Sequence, residues 1–144
     1  MFHGNGLGGI EYFRSVGDPC YPDFKFSCKI FRFMGIDKVN VLGVSPYTIE
    51  EYGAVSSETA IEMAEGARKA CGCGLGLSIT GVAGPGGGTE EKPAGTVFIA
   101  LADRNGTKVR KLNLWGTRER IRHSSCLYAL DMIRRHELGT EDED

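Results

Sequence analysis

The chain lacks the features that mark several common protein classes. No apolar run in its 144 residues approaches the ~18 residues that a membrane span requires. Its formal net charge of −2 gives no broad basic face of the kind that binds nucleic acid. The first residues also lack the basic region and apolar core of a signal peptide. We therefore expect a cytoplasmic protein whose partner is neither a nucleic acid nor a membrane.

The cysteines are too scattered for a disulfide framework. There are five of them, an odd number, and no Cys-x-x-Cys pair occurs. Cys71 and Cys73 lie close together, but a structural metal site needs four ligands, and His3, His123 and His136 are scattered. We expect reduced thiols, no metal and no other cofactor.

The composition is that of one globular domain over residues 1–144. The hydrophobic fraction of 41% and the charged fraction of 25% are typical of such domains. Residues 1–37 are atypical, because glycines and prolines interrupt them and their apolar residues follow no helical or strand period. A strand around Ile30–Met34 is the one element we expect there, and residues 139–144 form an acidic tail.

The segment from Thr80 to Gly95 is the most informative part of the chain. Five of the eight residues 81–88 are glycine, which is costly to order but allows positive φ angles and close approach of the backbone to a ligand. The segment lies between two apolar, strand-like runs, and loops at strand ends are where α/β proteins bind ligands. It matches neither a Walker A motif nor a Rossmann fingerprint. The alternative is a flexible surface connection that binds nothing.

Turn and cap residues outline the remaining elements. We predict two helices, then strands and a hairpin, then a last helix in which Ile121, Ser125, Tyr128 and Met132 share one stripe. Trp115 and Tyr128 are expected in the core. The predicted elements are a helix from Ser45-Pro46 to Gly53, a helix from the cap Ser56 to Gly72, strands at 75–79, 96–102 and 107–115, a hairpin at Asn105-Gly106, and a helix from the cap Thr117 to about Leu138. This order predicts an α/β fold with a mixed sheet between helices.

Residues 38–138 resemble the CinA C-terminal-domain family, the nicotinamide-nucleotide amidohydrolases. The segments that carry the resemblance are Lys38–Pro46, Glu51–Ser56, Met63–Arg68, Thr80–Gly95 and Gly116–Arg122. The resemblance implies a three-layer α/β/α domain. It also implies metal-free hydrolysis of the carboxamide of nicotinamide mononucleotide, giving nicotinic acid mononucleotide and ammonia.

The amino-terminal part departs from the family pattern. The family uses a serine in a Glu-Ser-x-Thr-Gly-Gly motif and a lysine in a Tyr-Ser-Asn-x-x-Lys motif. Lys38 falls on that lysine by its spacing to Leu42-Gly43, but Phe33, Met34 and Gly35 replace Tyr-Ser-Asn. Gly8-Gly9 stands where the glycine pair is expected, with Asn5 in place of the serine and Leu7 in place of the threonine.

Two explanations fit this departure. The chain is either a diverged homologue that has lost the nucleophile, or residues 1 to about 36 are a wrong-frame reading of an ordinary family sequence. The preserved length, and the abrupt return of the family pattern at Asp37-Lys38, favour the second.

The candidate catalytic residues are Lys38 and Thr80, and the candidate substrate-binding residues are Gly81, Gly84, Gly86, Gly87, Thr89 and Arg118. A catalytic Lys38 requires burial or a nearby cation to lower its pKa, whereas an ordinary lysine is solvated. Arg118, at the start of a helix, suits a phosphate; the alternative is a surface arginine paired with Glu119 or Glu62.

Two hypotheses of function remain. One is an amidohydrolase-family domain that acts on nicotinamide mononucleotide. The other is a non-catalytic nucleotide-binding or structural domain that dimerises through apolar surface. We expect a homo-oligomer, with nicotinamide mononucleotide as the small-molecule partner.

Overall fold

The computed structural model describes residues 11–12, 29–30 and 36–140, with only the backbone given for the residues before Lys38. Most of the atypical segment, including Asn5, Leu7 and Phe33, therefore lies outside the described residues. The elements are β1 (Glu11–Tyr12), β2 (Lys29–Ile30), α1 (Ile36–Leu42), α2 (Pro46–Tyr52), α3 (Ser57–Cys71), β3 (Gly76–Gly81), β4 (Thr96–Ala102), β5 (Thr107–Asn113) and α4 (Arg118–Leu138).

The main sheet has the order β3-β4-β5 and is antiparallel throughout. Ile99 in the central strand lies opposite Ile79 on one side and Arg110 on the other. The short strands β1 and β2 pair with each other, also antiparallel. The predicted mixed sheet needs a parallel pair of strands, and none occurs among the described strands. A hairpin joins β4 to β5, and the glycine loop joins β3 to β4, so both neighbouring pairs are antiparallel.

The predicted α/β class and its three layers are confirmed. Every residue of β4 is buried, and its side chains alternate between two cores. On one face Phe98, Ala100 and Ala102 pack against α3, while on the other Val97 and Ile99 pack against α4. The sheet therefore lies between α3 and α4, and the small residues Ala60 and Ala64 let α3 come close to it.

Local signals placed the helix ends correctly. The Ser56 hydroxyl accepts from Thr59 N at 3.1 Å, and the Thr117 hydroxyl accepts from Arg120 N at 3.3 Å, so both predicted N-caps are present. Gly72 and Gly139 end α3 and α4 in the left-handed conformation. No helix in the described part of the chain is long and apolar enough to cross a membrane.

Two aromatic residues are not where the sequence predicted them. Trp115 is 72% exposed and Tyr128 is 41% exposed, so neither is a core residue. The Trp115 ring instead stacks with the Arg120 guanidinium, 4.0 Å away, outside the sheet. On α4 the buried position after Ser125 is Ala129, because the helix needs a small side chain where it lies on the sheet.

Helix α1 lies against α3 at a point where only glycine fits. A Cβ at Gly66 would overlap the carbonyl group of Leu42, the last residue of α1. Leu42, Val44 and Met63 form a small core beside this contact. The position of α1, and with it the position of Lys38, thus depends on close backbone contact.

We predict that Gly66→Ala destabilises the protein. Overpacking typically costs about 1–3 kcal/mol, against a gain of about 0.5–1 kcal/mol when alanine replaces glycine in a helix. The clash is with backbone atoms that cannot easily move, so the cost should lie in the upper part of its range, and urea unfolding should show a net loss of about 1–2.5 kcal/mol. Gly74→Ala is the matched control, because its Cβ would meet no atom within 4 Å. Equal stability of the two variants would contradict the close contact.

Candidate functional site

The structure brings Lys38 and Thr80 into direct contact. Lys38 lies on α1 and Thr80 near the end of β3, and both side chains are buried. The Lys38 ammonium nitrogen donates to Thr80 Oγ1 at 3.1 Å and to the Ala54 carbonyl oxygen at 2.9 Å. Thr80 Oγ1 in turn donates to the same Ala54 oxygen at 2.7 Å. Three separate segments therefore meet at one amine.

Burial lowers the pKa of Lys38. Its exposed fraction is 7%, and both of its hydrogen-bond acceptors are neutral. No ion pair in the described range 38–140 offsets the loss of hydration that the charged form suffers. The solvated-lysine interpretation is therefore wrong for this side chain, and the condition for a catalytic amine is met.

The turn between α2 and α3 supplies the shared acceptor. Ser56 Oγ and Thr59 Oγ1 both donate to the Gly53 carbonyl, at 3.1 and 2.8 Å. These bonds fix the backbone on the amino-terminal side of Ala54. As a result, the Ala54 carbonyl is held at the place where Lys38 and Thr80 converge.

The base of the glycine loop is closed by backbone hydrogen bonds. Val82 N donates to Thr96 O at 2.9 Å and Gly95 N donates to Val82 O at 2.6 Å, which extends the β3–β4 pairing beyond Gly81. A Cβ at Gly95, where φ is +97°, would overlap the Leu114 carbonyl oxygen. The loop thus projects from a rigid base at the carboxyl end of β3, as the sequence predicted.

Arg118 reaches the same loop from the other layer. Its Nη1 atom donates to the Gly84 carbonyl at 3.3 Å. The predicted alternative of a pair with Glu62 is wrong, because the two Glu62 carboxylate oxygens accept from Ser45 N and Thr48 Oγ1, each at 2.7 Å. Among the described residues, no hydrogen bond joins Arg118 to Lys38 or Thr80. Residues 80–84 connect the Lys38–Thr80 pair with the Arg118 contact at Gly84, around the end of the sheet.

The other loop residues proposed from the sequence are solvent-facing. Gly86, Gly87 and Thr89 are exposed, and a Cβ on either glycine would meet open space. The Thr89 hydroxyl accepts from Lys92 N at 3.1 Å, so it stabilises the loop's own turn. Lys92 Nζ donates to the Tyr52 carbonyl at 2.6 Å, which ties the loop to the carboxyl end of α2.

Two parts of the site were missed from the sequence. The Ala54 carbonyl and the Lys92–Tyr52 contact both use main-chain oxygens, which residue type does not reveal. The signal available was the segment Glu51–Ser56, which carried part of the family resemblance without a chemical reason for it. Among the described residues no cluster of three or more His, Cys, Asp or Glu side chains is suited to hold a metal ion.

The CinA C-terminal domain family matches residues 30–136, a range that includes Lys38, the glycine loop and Arg118. The chain belongs to this family. A CinA-like protein of Kosmotoga olearia is 53% identical over 106 residues, which cover 74% of this chain and 26% of the relative. A CinA-like protein of Citrifermentans bemidjiense is 50% identical over 101 residues, or 70% of this chain and 24% of the relative.

Solved structures from the same family have the same fold. The competence/damage inducible protein CihA of Agrobacterium tumefaciens superposes with a TM-score of 0.67 at 37% identity, over 71% of this chain and 63% of that one. A CinA superfamily protein of Escherichia coli gives a TM-score of 0.69 at 32% identity, over 72% and 60% of the two chains. This chain spans about a quarter of the length of the two CinA-like relatives, 26% and 24%.

We predict that Lys38 makes stability depend on pH in the alkaline range. The pKa of Lys38 is lowered in the folded chain. At pH values between this native pKa and the ordinary lysine value of 10.5, the unfolded chain therefore binds more protons than the folded chain. The free energy of unfolding of the wild type should therefore rise with pH across this window, relative to Lys38→Met. Below the native pKa the wild type carries the full cost of burying the charge.

Chemical unfolding of both proteins at a series of pH values measures this difference. Lys69→Met, at an exposed lysine on α3, is the control for loss of a lysine. An identical pH dependence in the wild type and Lys38→Met would show that Lys38 titrates alike in the folded and unfolded chains.

Proposed function

We propose that this domain binds nicotinamide mononucleotide in the site formed by Lys38, Thr80, the glycine loop and Arg118. In the family's reaction, water replaces the amide nitrogen of the nicotinamide group, and the products are nicotinic acid mononucleotide and ammonia. The buried Lys38–Thr80 pair is the single observation that carries the proposal. The chain as written lacks the family serine, so we propose that its own hydrolysis is slow.

The hydrogen bonds of Lys38 suit a neutral amine that acts as a base. A neutral amine has two N–H donors and one lone pair, and the two described acceptors, Ala54 O and Thr80 Oγ1, use both donors. The lone pair is then left to take a proton from a hydroxyl nucleophile. Lowering the pKa of Lys38 by burial makes this neutral form more accessible near neutral pH.

The short chain segment from Thr80 to Gly84, which Arg118 contacts, keeps the two ends of the site within reach of one mononucleotide. The Cα atoms of Thr80 and Gly84 can be at most about 14 Å apart along four residues of chain. A mononucleotide has its carboxamide at one end and its phosphate at the other, on a comparable length scale. With the amide near Thr80, the phosphate would lie near the Arg118 guanidinium and the first turn of α4.

The second candidate is a nucleotide-binding domain without catalysis. The replacement of the family serine by Asn5 and of the threonine by Leu7 favours it. Both candidates require the same proposed binding site, and they differ only in turnover. Binding and hydrolysis must therefore be measured separately.

We expect weak binding of nicotinamide mononucleotide that depends on Arg118. Titration calorimetry should give a millimolar dissociation constant, or about −4 kcal/mol. Arg118→Ala should weaken binding by about 1.5–3 kcal/mol, the usual contribution of a charge-assisted hydrogen bond. Arg104→Ala is the control, because Arg104 lies in the β4–β5 turn at the opposite end of the sheet from the glycine loop. Equal affinities of the two variants would remove Arg118 from the site.

We also expect hydrolysis by this chain to be several orders of magnitude slower than by a family member with the full serine motif, since loss of a nucleophile leaves only binding and oxyanion contacts. Ammonia release from nicotinamide mononucleotide measures this rate. Mass spectrometry should first confirm that the purified chain begins Met1-Phe2-His3. Ordinary turnover by that chain would show that another group is the nucleophile, while absent binding would overturn the proposed pocket.

A further inference from the structure

The outward face of α4 carries a regular stripe of exposed residues. Arg120, His123, Leu127, Leu130, Arg134 and Glu137 recur at alternating spacings of three and four. We call these six residues the outer stripe. They lie on the side of the helix opposite Ile121, Ser125 and Ala129, which face the sheet. Leu127 is 54% exposed and Leu130 is 61% exposed, so the centre of the outer stripe is apolar.

This spacing is that of the contact positions of a two-helix coiled coil. In an antiparallel pair with its two-fold axis between residues 128 and 129, Leu127 of one copy would face Leu130 of the other. In the same register Arg120 would face Glu137. The outer stripe is therefore complementary to itself both in its apolar centre and in the charges at its ends.

The layer between the centre and the ends of this arrangement is polar. His123 would face Arg134, whose guanidinium shares the Asp131 carboxylate of its own helix with Arg135, at 2.7 and 2.8 Å. Leu138, 62% exposed, lies beside the outer stripe and adds apolar area. The 21 residues of α4 provide about 32 Å of helix for the contact.

We propose that the outer stripe is a self-association surface, on which the α4 helix of a second copy of this chain packs in antiparallel orientation. The occupant is a second copy because the stripe matches itself under two-fold rotation. This inference does not rest on the proposed function, since it is argued from the exposed face of α4 alone.

Light scattering on the full chain, over a series of micromolar concentrations, tests the proposal. The wild type should be a dimer, and Leu130→Glu should weaken the dimer by at least about 30-fold, as expected for a residue central to an interface. Tyr47→Glu is the matched control, because Tyr47 is 67% exposed on α2, away from the outer stripe. A wild type that is monomeric at all concentrations, or a dimer that Leu130→Glu leaves unchanged, would overturn the proposal.

A charge exchange tests the register. Arg120→Glu and Glu137→Arg should each weaken the dimer, because each places like charges opposite one another, and the double variant should restore it. Arg120 also stacks on Trp115, and both the Arg120→Glu variant and the double variant lose this stacking. A rescue by the double variant would therefore be explained only by the intermolecular charge pair. Failure of the rescue would overturn the antiparallel register.

Hydrogen exchange provides a separate test. An outer stripe that is protected from exchange in a monomer would mean that another part of the chain covers it, and this result would also overturn the proposal.

Discussion

One carbonyl oxygen, that of Ala54, holds the candidate site together. It accepts hydrogen bonds from Lys38 Nζ and Thr80 Oγ1, side chains that are 42 residues apart in the chain. A buried amine without acceptors would be strongly destabilising, so the position of this oxygen determines whether Lys38 can be buried at all. The turn that presents it depends on Ser56 and Thr59, and the helix that presents Lys38 depends on close packing at Gly66.

The same constraint makes the structural role of Lys38 compatible with its proposed role as a base. As a donor it connects α1 to β3 and to the α2–α3 turn. As a neutral amine it keeps a lone pair after both of those bonds are made. An ion pair with a carboxylate would have stabilised the charged form and removed the base. Neutral acceptors hold the amine in place without that effect, and so burial alone sets the direction of the pKa shift.

The fold was largely readable from the sequence because its signals are local. Ser56, Thr117 and the glycines that end the helices act within a single turn, and Asn105-Gly106 marks its hairpin, where Asp103 Oδ1 accepts from both backbone amides at 2.7 and 2.9 Å. Strand pairing and the site's main-chain contacts are different, because they join distant segments through atoms that every residue has. A parallel pair expected from the sequence does not occur among the described strands. Trp115 and Tyr128 were misplaced because large aromatic residues were assumed to be buried, whereas the face of α4 on the sheet requires small side chains.

The two faces of α4 connect the proposed nucleotide site with the proposed dimer. Its inner face, through Ile121 and Ala129, fixes the helix on the sheet and so sets where its first turn lies relative to Gly84. Arg118 and Arg120 are both in that first turn. Arg118 points to the glycine loop, and Arg120 stacks on Trp115 and belongs to the outer stripe. A partner carboxylate at Arg120 would lower the positive potential of this turn, which is also where a phosphate would be bound. Self-association and phosphate binding would then compete electrostatically through α4, without any change in the backbone of the site.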